Sequence, residues 1–120
     1  MKGNKKKRGI GLKYALNGLK EAYIRERNFR IHLFVAVIVI FVSFYFRLTA
    51  FEWIFIIIAI QMVLISELVN SLMERIIDYL KPDYHIQAKI IKDIAAAVVL
   101  ISAITSVIIG VIIFVPKLFY

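Results

Sequence analysis

No cysteine occurs among the 120 residues, so disulfides, thiol catalysis and thiolate metal sites are excluded. The two histidines, His32 and His85, have no partner at metal-ligand spacing, so there is no zinc-type cluster either. Only two prolines are present, Pro82 and Pro116, and each closes an apolar run. No G-x-x-x-x-G-K-[ST] pattern occurs, so any nucleotide must be bound without that phosphate-cradling loop. Internal repeats and low-complexity segments are absent, and the stretch from Trp53 to Ser66 carries no charge. The charged N-terminus is not followed by a short apolar core and a small-residue cleavage site, so it does not read as a secretory signal.

Hydrophobic residues make up 62% of the chain, and the mean hydropathy is +0.83. A soluble domain this small has too little interior for so much apolar surface, so the chain reads as an integral membrane protein. The net charge of +8 would also fit a nucleic-acid binder, but its placement points elsewhere. Ten of the sixteen Lys and Arg residues precede the first apolar run. Arg75, Lys81, Lys89 and Lys92 surround the link between the second and third runs, leaving only Arg47 and Lys117 at the opposite ends. This asymmetry puts the N-terminus and second loop in the cytoplasm and the C-terminus outside a bacterial inner membrane. No basic platform interleaved with aromatics appears, so nucleic acid is not an expected partner.

The expected architecture is all-α, in a single domain over 1–120. A basic cytoplasmic arm covers 1–9 and an amphipathic surface helix covers 10–28. Transmembrane helices follow over 29–47, 51–80 and 86–115. Leu48-Thr49-Ala50 makes a tight outer hairpin, Lys81-Pro82-Asp83-Tyr84-His85 forms the inner loop, and Pro116 ends the third span. Ala95, Ala96, Ala97, Ser102, Ala103, Ser106 and Gly110 supply small residues for close helix packing, and self-association is expected.

Polar residues inside the second apolar run are the strongest signal. Glu67, Asn70, Glu74 and Asp78 stand at i, i+3, i+7 and i+11, one stripe of a helix. Each carboxylate so near a membrane span costs about 2.5–3.5 kcal/mol on insertion scales. Such a stripe belongs between helices. Glu67 lies about 10 Å deeper than Glu74, at ~1.5 Å per residue. The shallow carboxylates Glu26 and Glu74 suit Mg²⁺, which takes one or two carboxylates plus substrate phosphates. The deeper Glu67 suits a general base. Lys92, beside Asp93, suits neutralisation of phosphate charge.

The run Glu67-Leu68-Val69-Asn70-Ser71-Leu72-Met73-Glu74-Arg75-Ile76-Ile77-Asp78 resembles the E-[LI]-x-N-[ST]-x-[IM]-E-x-[IV]-[IV]-D signature of the small bacterial lipid kinases, the diacylglycerol kinase and undecaprenol kinase family. Ala22 to Arg30, Asp83-Tyr84-His85 and Lys92-Asp93-Ile94-Ala95-Ala96 agree in order and spacing. The resemblance implies a homotrimer of three-helix protomers with a surface helix and active sites shared between protomers. It implies Mg-ATP as donor and a lipid alcohol as acceptor. By motif, Glu67 resembles the general base, and Glu26 and Glu74 the metal-binding carboxylates. Asn70 resembles a site-supporting residue. Tyr14, Glu26, Glu74, Asp83, Tyr84, His85, Lys92 and Asp93 resemble nucleotide contacts, with Arg8 a weaker match, and Arg30 lines the lipid entrance. Glu26-Arg27-Asn28-Phe29-Arg30-Ile31-His32 resembles the Gram-positive branch, whose typical acceptor is undecaprenol; diacylglycerol is the alternative. Ala97 departs from that branch, which often carries glycine there.

On residue content alone, Glu67 and Glu74 also suit an interhelical lock in a non-enzymatic assembly or proton-relay protein. Asp78 reads as a partner of Arg75 or Lys81. His32 reads as interfacial rather than catalytic, Tyr14 as a headgroup-level anchor, and Trp53 as an outer-interface belt residue.

Overall fold

The computed structural model describes residues 11–120. The basic arm expected over 1–9, with Arg8, and the first residue of the surface helix, Ile10, lie outside the described residues. Four helices follow in order: α1 (Gly11–Arg25), α2 (Arg27–Tyr45), α3 (Ala50–Leu80) and α4 (Ile86–Phe119). No strand occurs among the described residues. α2, α3 and α4 are long and apolar enough to cross a membrane. At 1.5 Å per residue they rise about 28, 46 and 51 Å, so α3 and α4 outreach a hydrocarbon core of about 30 Å.

α1 buries only Ala22, and its Leu12, Leu16, Leu19 and Ile24 stay exposed. The surface helix stops at Arg25 rather than at residue 28, and Arg27 and Asn28 already belong to α2. Glu26 interrupts the helix with extended backbone (φ −109°, ψ 107°). Arg30 stabilises the break by donating from Nη1 to the carbonyls of Tyr23 (2.8 Å) and Ile24 (2.9 Å). These carbonyls belong to the last turn of α1, where no helical N–H is available to them.

The turn from α2 to α3 is a Schellman motif. Leu48 N–H reaches back to Ser43 O (3.4 Å) and Arg47 N–H to Phe44 O (3.2 Å). Arg47 takes the left-handed position that glycine normally fills, with φ 53°. Arg47→Gly is therefore expected to raise stability by about 1 kcal/mol, because a side chain there costs about 1–2 kcal/mol. Thermal unfolding of the detergent-solubilised protein measures it, and an unchanged or lower midpoint would show that Arg47 makes a compensating contact. Thr49 then starts α3 with a capping box. Its Oγ1 accepts from Glu52 N–H (3.3 Å), and Glu52 Oε1 accepts from Thr49 N–H (2.9 Å). Glu52 also pairs with Lys117 at 3.1 Å, joining the start of α3 to the end of α4.

α3 and α4 form the main packed pair, with α2 against α3 and α1 against α2. Ile56, Val63, Asn70 and Ile77 recur at heptad spacing on α3, as do Ala88, Ala95 and Ser102 on α4, all buried except the half-buried Val63. A seven-residue repeat keeps one seam facing its partner along two long helices. Small residues bring the backbones close enough for Ser106 Oγ to donate to the carbonyl of Ala59 at 3.1 Å. Ala96 and Ala97 do not join this face; both are exposed, because steps of 100° carry them round the helix from Ala95. Leu48, Ile56 and Ile113 close the opposite end, where Phe46 meets Phe114 and Phe44 meets Trp53.

Pro116 does not end α4, which continues to Phe119. Proline loses its own N–H bond and its ring crowds the carbonyl one turn back, but only three helical residues follow it, and the turn after it still closes through Tyr120 N–H to Pro116 O at 2.8 Å. The described chain is a slab of 56 × 42 × 21 Å, with large apolar side chains exposed on every helix.

Candidate functional site

The break at Glu26 turns its carboxylate onto α3. Ser71 Oγ donates to Glu26 Oε1 at 2.9 Å, and Arg75 Nη2 lies 3.3 Å from Oε2. Ser71 and Arg75 are four apart on α3, so one helical face grips both oxygens. Glu67 lies one turn before Ser71 on the same helix and is only 2% exposed. Its Oε2 lies 3.0 Å from Nε2 of His32, which comes from α2. Glu26 and the half-buried Glu74 both stand within electrostatic reach of Glu67. Asn70, one turn from Glu67, is 9% exposed, and its Oδ1 has no hydrogen-bond partner among the described residues. A buried acceptor left open in this way is costly unless a bound group or water satisfies it.

Two cavities border this polar layer. A groove of about 550 Å³ between α1 and α3 opens onto Glu26, Ser71 and Arg75, with Gly18 and Ala22 on its other wall. An apolar cleft of about 430 Å³ begins at His32 and runs along Ala36, Ala59, Ala103 and Gly110 to Phe114.

The structure thus sets Glu26 against Ser71 and Arg75 on the helix that also carries Glu67, Asn70 and Glu74. The remaining sequence-predicted residues either pair with other groups or stand exposed. Lys92 pairs with Asp78 at 2.5 Å, and Asp93 with Lys89 at 2.6 Å. Asp78 therefore takes neither expected partner. Arg75 is turned toward Glu26, and Asp78, three residues on, faces α4. Tyr14, Asp83, Tyr84 and His85 are exposed. His85 has a local task as well, because its Nδ1 accepts from Gln87 N–H (3.1 Å) and caps α4. Arg30 is engaged at the end of α1. His32 is the residue that sequence reasoning missed. Nothing in its local pattern ties it to Glu67, thirty-five positions away.

No three His, Asp or Glu side chains converge as a ready metal cage among the described residues. The donors present still suit Mg²⁺, which binds oxygen and is completed by substrate phosphates and water. Glu74 and the open amide oxygen of Asn70 are hard oxygen donors, and Glu26 is a third once an ion displaces Ser71 or Arg75 from its carboxylate.

Residues 13–114 match the sequence model of the family described as prokaryotic diacylglycerol kinase. The chain is 37% identical over 105 residues to the undecaprenol kinase of Bacillus subtilis, covering 88% of this chain and 85% of that one. It is 37% identical over 110 residues to the diacylglycerol kinase of Synechocystis, covering 91% of this chain but only 63% of that longer protein. It is 30% identical over 95 residues to the diacylglycerol kinase of Escherichia coli K12, covering 79% of this chain and 78% of that one.

Proposed function

This chain belongs to the prokaryotic diacylglycerol kinase family of lipid kinases, and we propose that it phosphorylates undecaprenol with Mg-ATP to give undecaprenyl phosphate. The observation that carries this reading is a two-level carboxylate site. Glu67 is buried against His32, which lines one end of an apolar cleft, and Glu26 is held at the shallower level against α3. The lipid hydroxyl attacks the γ-phosphorus of ATP, Glu67 takes the hydroxyl proton, and ADP leaves. A base at this position contributes about 10²–10⁴-fold. Glu26 and Glu74 would hold Mg²⁺, which when bound neutralises phosphate charge. Tyr14, Asp83, Tyr84, His85, Lys92 and Asp93 contribute to the nucleotide side, Asn70 supports the site, and Arg30 borders the lipid entrance. The enzyme works as a homotrimer in the bacterial inner membrane, N-terminus inside and C-terminus outside. A neighbouring copy would cover part of the apolar surface that one slab leaves exposed.

The choice of undecaprenol rests on the run Glu26 to His32, which resembles the Gram-positive branch. Diacylglycerol is the alternative acceptor, since it also presents a primary hydroxyl at the membrane interface. The test is a competition in mixed micelles with radiolabelled ATP, Mg²⁺ and equal mole fractions of the two lipids. Label mainly in undecaprenyl phosphate is the expected result. Label mainly in phosphatidic acid would overturn the acceptor and keep the site. No label in either lipid, from folded protein, would overturn the kinase reading for this chain.

A further inference from the structure

Resting on the assignment of Glu67 as base, we infer that His32 is its positioning residue. The Nε2–H of His32 holds Oε2 of Glu67 and leaves Oε1 to take the lipid proton.

Four observations converge on this role. The contact is 3.0 Å between a half-buried imidazole and a carboxylate sealed from solvent. A buried carboxylate needs donors, and the neighbouring hydroxyls on α3 are engaged elsewhere. Ser66 donates to Val63 O and Ser71 to Glu26. Besides His32, the charged groups that act electrostatically on Glu67 are Glu26 at the head of α2 and Glu74 on α3, both acidic. α4 carries no charged residue between Asp93 and Lys117. Among the described residues His32 is thus the donor that Glu67 has. Finally, His32 lines the start of the apolar cleft, where an acyl or prenyl chain would bring its hydroxyl to the carboxylate. A neutral imidazole has one N–H, and donation from Nε2 leaves Nδ1 as the acceptor. Fixing one oxygen matters because proton transfer depends on the orientation of the other.

The test uses the full-length protein in lipid micelles, with His32→Leu, His32→Gln, His32→Asn, Glu67→Gln and the double variant His32→Leu/Glu67→Gln. His32→Leu is expected to lower kcat about 100-fold, the scale of a misplaced reacting group. KM for Mg-ATP stays within about twofold, because the contact does not touch the nucleotide. Gln places its amide N–H near the position of Nε2 and retains kcat within about fivefold, whereas the shorter Asn behaves like Leu. The Leu variant costs nothing further when Glu67 is already Gln, since residues that act as a unit are non-additive. Wild-type kcat in His32→Leu, or Gln no better than Asn, would overturn the inference. A change in KM alone would do the same. If His32→Leu fails to fold, the Gln-against-Asn comparison decides alone. Wild-type kcat in Glu67→Gln would remove the base assignment itself. An inactive Glu67→Gln beside a fully active His32→Leu would remove only the role of His32.

Discussion

Glu67→Gln is expected to lower kcat by about 10³-fold while leaving KM for Mg-ATP near wild type, because a positioned base contributes about 10²–10⁴-fold and does not hold the nucleotide. The substitution is nearly isosteric, so the cavity and the seam with α4 keep their shape. It also removes a charge that is 2% exposed and has two other carboxylates within reach. Thermal stability should therefore not fall, and a modest rise fits a functional group held at a cost to the fold. The two readouts separate the site from a mere helix lock. Under the lock reading, loss of the carboxylate weakens the bond to His32 and lowers the unfolding midpoint. Activity and midpoint falling together would support the lock, and normal kcat would exclude Glu67 as the base.

Ala59→Leu is expected to cost about 1–3 kcal/mol, the usual range for extra volume forced into a packed interface. Ala59 is buried in the α3–α4 seam, and its carbonyl accepts from Ser106 Oγ across the helices at 3.1 Å. A longer side chain on the α4 side pushes the backbones apart and breaks that bond, whereas unchanged stability would mean that it turns into the apolar cleft that Ala59 also lines. In lipid no hydrophobic driving force compensates, since hydrocarbon solvates Leu as well as a neighbouring helix does. Denaturing-detergent titration measures the loss. Ile58→Leu, one residue away but exposed, is the control and should change stability by less than about 0.5 kcal/mol. Equal losses at the two positions would mean that the seam does not hold α3 to α4.

Much of this architecture is local chemistry and can be read along the chain. Three long apolar runs bounded by basic residues become three helices able to span. Pro82 stops α3 because it has no N–H to donate and its ring disfavours helical backbone at Lys81, so α3 ends at Leu80. Glu67, Asn70 and Glu74 share a face through helical spacing alone, so the core of the site is legible without a fold. The same arithmetic stops short where the outcome hangs on the local backbone or on a partner. Pro116 stayed inside α4 because its missing N–H left the final turn intact. Asp78 extended the stripe on paper, yet Lys92 on α4 captured it. The surface helix stopped early because Arg30 reached back to cap it and Glu26 took extended backbone.

The contacts that give Glu67 its surroundings belong to this second kind. Spacing says which side chains share a helix face. It does not say how two helices are rotated and slid against each other, because that follows from side-chain volumes meeting across the interface. Glu26 found Ser71 and Arg75, and His32 found Glu67, only when α2 settled on α3 in one rotation and register. Composition and periodicity were enough for a membrane helix bundle with acidic residues facing inward. Which donor each buried carboxylate received was settled by packing, since a carboxylate shut away from water depends on whichever neighbour the fold brings within hydrogen-bond reach.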